Sequence, residues 1–237
     1  MYDKIFSKIY DEYGWDYFSL TMGKSILDYF KVNNITIKNN LDLCCGTGVL
    51  CDYFYKNNIK TKGIDISKYM LQIARNKNNN IEFKNDNVLF YKDNQKYDLV
   101  TMTCDAINHL IEDGDLECLI KNVNKLLNKN GYFIFDVYDK DKIDFNKEIV
   151  SNRNNGIKVY YYITANDSLI NTNVVIKEND NFIYETNIIE KIYDLDYINN
   201  ILEKNGLILI QAKDKILNEE QRFKDKLYFI CKKKCNN

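Results

Sequence analysis

An acid set in a short apolar run and followed by a glycine-rich turn marks the place where this chain could hold a small ligand. The run reads Asp42-Leu43-Cys44-Cys45-Gly46-Thr47-Gly48. Glycines at 46 and 48 let the main chain approach a ligand closely, and a helix starting after such a turn aims its free amide groups at the same point. Asp65 closes the next apolar run, where a carboxylate can accept both hydroxyls of a ribose. His109 is the single histidine of the chain. With an unperturbed pKa of about 6.5 it suits a base or a substrate contact at neutral pH, although a histidine after an apolar run serves equally well as a structural residue.

The acid upstream of the glycines separates two ligand chemistries. A dinucleotide turn uses Gly-x-Gly-x-x-Gly to admit a dianionic pyrophosphate. Here the third glycine position holds Cys51, and Asp42 would repel a pyrophosphate. S-adenosylmethionine carries an ammonium and a sulfonium and no phosphate, so it fits an acid at that position. The glycines alone would also suit a purely structural turn, and Asp42 could merely cap a helix.

The elements around the turn alternate. Residues 2–31 read as helices with a break near Gly14, since Ile5, Phe6, Ile9 and Tyr10 recur at helical spacing. Residues 41–45, 61–66, 81–84, 97–103 and 131–137 read as strands. Helices are expected at 49–55, after Ser67 as a cap, and at 116–127. This is the pattern of a doubly wound parallel sheet. Three β-prone runs, 157–164, 171–177 and 182–193, are separated by Asn/Asp turn signals and read as an antiparallel meander. A helix at 195–204, a stop at Gly206 and strands at 207–212 and 226–231 complete the chain. The expected division is a helical cap at 1–36, a core at 37–140 and 194–237, and an antiparallel insertion at 141–193. That insertion could be a substrate lid, a dimer surface or a plain structural edge.

Taken together, these motifs resemble class I S-adenosylmethionine-dependent methyltransferases. Asp42-x-x-Cys45-Gly46-Thr47-Gly48 and Gly63-Ile64-Asp65-Ile66-Ser67-x-x-Met70-Leu71-x-x-Ala74 look like the first motif and its successor. Phe83-x-Asn85-Asp86, Tyr97-Asp98-Leu99-Val100 and Gly131-Tyr132-Phe133-Ile134-Phe135-Asp136 look like the third, fourth and fifth strands. The resemblance implies a Rossmann-like, seven-stranded, mostly parallel sheet whose last strand is antiparallel. A closer similarity is to small bacterial enzymes of the deoxyamino-sugar N-methyltransferase and glycine/sarcosine type, whose aromatic cap begins with a Tyr-Asp. It implies that Asp42, Cys44, Gly46, Thr47 and Gly48 hold the cofactor, with Asp42 near its methionine end and Asp65 on its ribose. Ile66 and Met70 would sandwich the adenine, with Asp86 and Asn87 at its edge and Cys104 presenting backbone. Tyr2, Tyr10 and Trp15 of the cap would face the substrate and the sulfonium; the bland counterpart is that Met70 and these aromatics only pack.

Composition limits the partners. The chain has 237 residues, and 33 Lys+Arg against 34 Asp+Glu leave a net charge of −1. Binding nucleic acid through bulk charge is therefore not expected. No apolar run reaches the roughly 18–20 residues of a membrane span, and no signal peptide is evident, so a cytoplasmic protein with free thiols is expected. The seven cysteines include no Cys-x-x-Cys pair, and no metal is expected. The expected reaction moves a methyl group to N or O of a small molecule, leaving S-adenosylhomocysteine, in a monomer or homodimer. An RNA or protein methyltransferase, and a non-catalytic cofactor-binding module, are the rival readings.

Overall fold

The computed structural model describes residues 3–234 apart from 13, 144, 145, 153–155, 167 and 217–224. The chain opens with α1 (Lys4–Ile9), capped by Asp3, whose Oδ1 accepts the Ile5 and Phe6 amides at 2.9 Å. After Gly14 (φ 76°) it continues as α2 (Asp16–Val32). Strands and helices then alternate as β1 (Asn39–Leu43), α3 (Val49–Lys56), β2 (Lys60–Asp65), α4 (Lys68–Lys77), β3 (Glu82–Asn85) and β4 (Tyr97–Met102). A 3-10 turn (Ala106–His109) leads to α5 (Asp115–Leu126) and β5 (Leu127–Tyr138). Four strands follow, β6 (Lys147–Asn152), β7 (Ile157–Ala165), β8 (Leu169–Glu178) and β9 (Asn181–Lys191). The chain closes with α6 (Leu195–Lys204), β10 (Leu207–Lys213) and β11 (Lys226–Lys233).

The described strands form two sheets. The larger has the order β3-β2-β1-β4-β5-β11-β10, and β11 runs antiparallel to both β5 and β10. Strand order reverses between β1 and β4, which puts their carboxyl ends side by side at the switch point where ligands of open α/β sheets bind. Side-chain alternation assigns the two faces. Leu41, Leu43, Phe133, Phe135 and Phe229 pack under α5 and α6, whereas Ile134, Tyr228 and Ile230 pack under α2 and α3. Covering both faces explains why β5 is buried without interruption from Gly131 to Val137.

The smaller sheet, in the order β6-β7-β8-β9, is antiparallel throughout. It has four strands where the sequence suggests three. The extra one, β6, carries only Ile149 and Val150 as apolar residues, and both are about two-fifths exposed, 40% and 44%. The inward residues Val159, Val174, Ile176 and Tyr184 pack on Phe6 of α1 and on Met70 of α4. No helix among the described residues is long and apolar enough to cross a membrane.

Gly63 lies on β2 where a Cβ would come within 2.7 Å of Cys45 Sγ and of the Phe83 ring. Gly63→Ala is expected to lower stability by about 1–3 kcal/mol through overpacking, read as a lower denaturant midpoint with an unchanged slope.

Candidate functional site

At the carboxyl end of β1 the chain turns through Cys44 (φ 56°), Gly46 (φ 53°) and Gly48 (φ 75°) into α3. A Cβ on Gly48 would strike Phe83 and Ala74, whereas one on Gly46 would meet nothing within 4 Å. Gly46 therefore leaves open space on the face of the turn. The Gly46 amide donates to Asp65 Oδ2 at 2.8 Å, and the Ser67 amide donates to Asp65 Oδ1 at 2.7 Å. The carboxylate at the end of β2 thus fixes the turn while keeping further lone pairs.

Asp42 is almost fully buried and points to the α3 side of the sheet. It accepts Thr101 Oγ1 at 2.7 Å and faces Cys51 Sγ at 3.5 Å. Burial pushes its carboxyl up to about 7, so an ionised Asp42 lacks a counter-charge at neutral pH.

Asp86 and Asn87 stand at the end of β3, beside Asp65, where the Asp86 amide donates to the Asp65 carbonyl at 3.2 Å. Asp86 Oδ1 accepts the Asn87 amide and Asn87 Oδ1 accepts the Leu89 amide, so both side chains also shape the turn. Asp42, Asp65 and Asp86 come to the same edge of adjacent strands. Ile66 and Met70, expected on either side of the adenine, stand in different surroundings. Ile66 is 71% exposed, but Met70 is 2% exposed and enclosed by α1 and the small sheet. Helical spacing puts Met70 on an inward face; the cover that buries it comes from distant parts of the chain.

The cap closes over this turn. Asp11 Oδ1 accepts Thr47 Oγ1 at 2.7 Å, Lys77 Nζ lies 2.5 Å from Asp11 Oδ2, and Lys77 also donates to Thr47 Oγ1 at 3.1 Å. With this latch in place the cleft at the turn measures about 30 Å³. Tyr10 and Cys104 border it, and both also border a cavity of about 760 Å³ on their other side. Their Oη and Sγ atoms stand 3.8 Å apart. Burial raises the Cys104 thiol, which keeps it protonated and unsuited to act as a nucleophile.

Phe6, Trp15 and Tyr161 supply aromatic wall to the large cavity, and Trp15 Nε1 donates to Tyr161 Oη at 3.1 Å. The Phe6 and Trp15 rings lie 4.9 Å apart and the Tyr10 and Trp15 rings 5.6 Å apart. Of the three cap aromatics singled out in the sequence, Tyr10 and Trp15 reach the cavity, and Tyr2 lies outside the described residues.

One end of the cavity is charged. Asp105, His109, Tyr138, Glu190 and Lys226 meet there, from the turn after β4, the end of β5, β9 and β11. Lys226 pairs with Asp105 and lies 3.4 Å from the centre of the Tyr138 ring. Tyr138 Oη donates to Glu190 Oε2 at 3.3 Å, and His109 Nε2 is 4.0 Å from Glu190 Oε1. Asp136, fully buried behind them, accepts the amides of Cys104 and Asp105 at 2.8 Å each. Those two residues are consecutive and left-handed (φ 68° and 50°), a conformation costly for residues with a Cβ unless neighbours enforce it.

Burial, then Asp105, pushes the Glu190 carboxyl up to about 8, and burial pushes Asp136 up to about 7. Burial lowers His109, so the imidazole is neutral at pH 7. Burial opposes ionisation of Lys226, but Asp105, Asp136 and Glu190 overcome it and raise the ammonium to about 12. Sequence reasoning singles out His109 and Cys104 here and misses Asp105, Glu190 and Lys226. The available signal was the acid Glu190 inside the apolar alternation of residues 182–193.

The sequence family described as "Methyltransferase domain" matches residues 20–212. This chain belongs to that methyltransferase family. A Geobacillus sp. (strain WCH70) protein carrying a provisional methyltransferase name is 29% identical over 143 residues, or 59% of this chain and 57% of that one. A ubiquinone biosynthesis O-methyltransferase of Pelagibacter ubique is 30% identical over 42% of each chain. The matched region thus spans little more than half the length of these relatives, or less.

Among solved structures, the CcbJ methyltransferase of Streptomyces caelestis superposes with a TM-score of 0.84 at 12% identity, over 99% of this chain and 100% of that one. An S-adenosylmethionine-dependent methyltransferase of Clostridium acetobutylicum gives 0.79 at 22% identity, over 90% and 91%. The coverage of the first extends the shared methyltransferase fold to the cap and the small sheet as well as the central sheet. All six described cysteines of this family member are free of disulfides.

Three buried carboxyls raised to about 7 or 8 act on the pH response of the fold. Asp42, Asp136 and Glu190 keep protons in the folded chain that they lose when unfolded above about pH 4. The folded state then holds more protons, so stability falls as pH rises from about 5 to about 8, by up to about 1.4 kcal/mol per pH unit for each proton. Thermal melting across that range is expected to fall, and Asp42→Asn to flatten the slope.

Proposed function

We propose that this chain transfers the methyl group of S-adenosylmethionine to a nitrogen or oxygen of a small molecule. The observation that carries the reading is the wall of Tyr10 and Cys104, with the glycine turn on one side and a cavity of about 760 Å³ on the other. A group lying along the turn would then present its reactive end to a second molecule in the cavity. The residues present suit this cofactor. Asp42 is a buried acid without a counter-charge, Gly46 leaves its face of the turn open, and Asp65 ends β2 at ribose position. When bound, the cofactor supplies an electrophilic methyl carbon on a sulfonium.

Asp42 faces the ammonium end, and Gly46, Thr47 and Gly48 provide main chain beside it. Asp65 accepts the ribose hydroxyls, while Asp86, Asn87 and the exposed Ile66 lie along the adenine. Tyr10, Trp15 and Phe6 exclude water and can stabilise positive charge through their ring faces, worth about 0.5–2 kcal/mol. Alignment of the reacting atoms is the main contribution asked of the fold, since proximity can supply about 7–11 kcal/mol. Neutral His109 can accept a hydrogen bond or a proton from the acceptor. The small sheet, with Ser151 and Thr172 on its cavity side, acts as the acceptor's lid. The free thiols fit work in a reducing cytoplasm.

Calorimetry with S-adenosylhomocysteine tests the cofactor assignment. Binding at about pH 6.5 is expected to expel a proton from Asp42, seen as a dependence of the heat on buffer ionisation enthalpy. Asp42→Asn should remove that dependence and weaken binding at least about tenfold, and absence of binding to wild type would sink the reading. His109→Ala is expected to lower kcat about 10²-fold or more if the imidazole takes the proton. Unchanged kcat on an identified acceptor would remove it from the chemistry.

A further inference from the structure

We infer that Asp11 occupies, in the closed cap, the place of the cofactor's methionine carboxylate, so that Lys77 and Thr47 exchange one carboxylate for the other on binding. The inference rests on the S-adenosylmethionine reading of the glycine turn. It adds the anchor of the cofactor's anionic group and makes the cap segment its competitor.

The need for such an anchor follows from the cleft. The methionine end of the cofactor carries a carboxylate as well as an ammonium. The described residues lining the cleft at the turn include Asp16 and Asp42 but no lysine or arginine. The amides of the turn are largely engaged. Cys45 donates to the Ile64 carbonyl at 3.0 Å, Gly46 to Asp65 Oδ2 at 2.8 Å, and Gly48 to the Cys45 carbonyl at 2.9 Å. An ammonium therefore finds acids in the cleft, whereas a carboxylate finds acids and no cation.

A carboxylate-binding pair stands beside that cleft, and the cap already fills it. Thr47 lines the cleft, and its hydroxyl donates to Asp11 Oδ1 at 2.7 Å. Lys77 Nζ stands 2.5 Å from Asp11 Oδ2 and 3.1 Å from Thr47 Oγ1. One hydroxyl and one ammonium thus grip the two oxygens of a single carboxylate, a charge-assisted geometry that a second carboxylate can reproduce. Lys77 is the last residue of α4, where its charge would suit the carbonyl end of the helix. It reaches back to the glycine turn instead. Asp16 lies in the same field, since burial and then Asp11 raise its carboxyl while Lys77 pulls it down. Two cap acids therefore act on one lysine. When the cofactor's carboxylate replaces Asp11, Lys77 keeps an anionic partner, and the cap stays tethered through Asp3 to Tyr184 and Trp15 to Tyr161.

A matched pair of probes tests the exchange, namely S-adenosylhomocysteine and its decarboxylated form, which keeps the ammonium and lacks only the carboxylate. Each is titrated by calorimetry into the full chain as wild type, Lys77→Met and Asp11→Asn. Wild type is expected to bind S-adenosylhomocysteine about tenfold more tightly than the decarboxylated form. Lys77→Met should bring that ratio to about 1 by weakening S-adenosylhomocysteine alone. Asp11→Asn should tighten S-adenosylhomocysteine by about threefold or more and leave the decarboxylated form unchanged. Equal binding of both probes to wild type, an unchanged ratio in Lys77→Met, or loss of both probes there would overturn the exchange. Unchanged or weaker S-adenosylhomocysteine binding in Asp11→Asn would overturn it too, and decides alone should Lys77→Met not fold. Wild type binding neither probe would instead defeat the cofactor reading on which the exchange rests.

Discussion

The Lys226 ammonium is the charge on which the carboxyl end of the central sheet depends. It sits on the antiparallel strand β11, against β5, and meets acids from three other elements. A buried carboxylate without a partner is unstable by several kcal/mol, so Asp105 remains ionised there through its pairing with Lys226. Asp136 in turn holds the left-handed Cys104–Asp105 pair by its two amides. That pair places Cys104 at the wall and Asp105 and His109 in the cavity. One lysine thus supports the geometry of two chambers.

The second constraint is mechanical. The cap segment around α1 is fastened at three places: Asp3 to Tyr184 of β9 at 3.0 Å, Trp15 to Tyr161 of β7, and Asp11 to Thr47 and Lys77. Two of these reach the small sheet and one reaches the glycine turn. A six-residue helix has little stability of its own, so these tethers and the burial of Phe6 determine where the cap lies.

The sheet and its helices are largely legible in the sequence because their signals are local. α6 runs over residues 195–204 as its period suggests, with Asp194 capping Asp196 and Tyr197 and Gly206 ending it at φ 78°. The Asp42–Gly48 turn is legible because glycine and an upstream acid are both unusual there. β6 is not, since its apolar content is two residues that the fold leaves partly exposed. The polar end of the cavity is illegible for another reason. Asp105 and Lys226 are 121 residues apart, and Glu190 reads as one more charged residue in an alternating strand. Only the fold turns that residue inward and brings the others to it. Met70 shows the converse: its inward direction is readable, but what covers it is not.

The position of Asp11 beside Tyr10 has a thermodynamic consequence. One short stretch of cap both bonds the glycine turn through Thr47 and forms the wall of the cavity through Tyr10. With the latch closed, about 30 Å³ remains at the turn, so filling that cleft means displacing the segment that also shapes the neighbouring chamber. Any ligand taken up in one chamber would therefore change the free energy of filling the other, by the same amount in both directions.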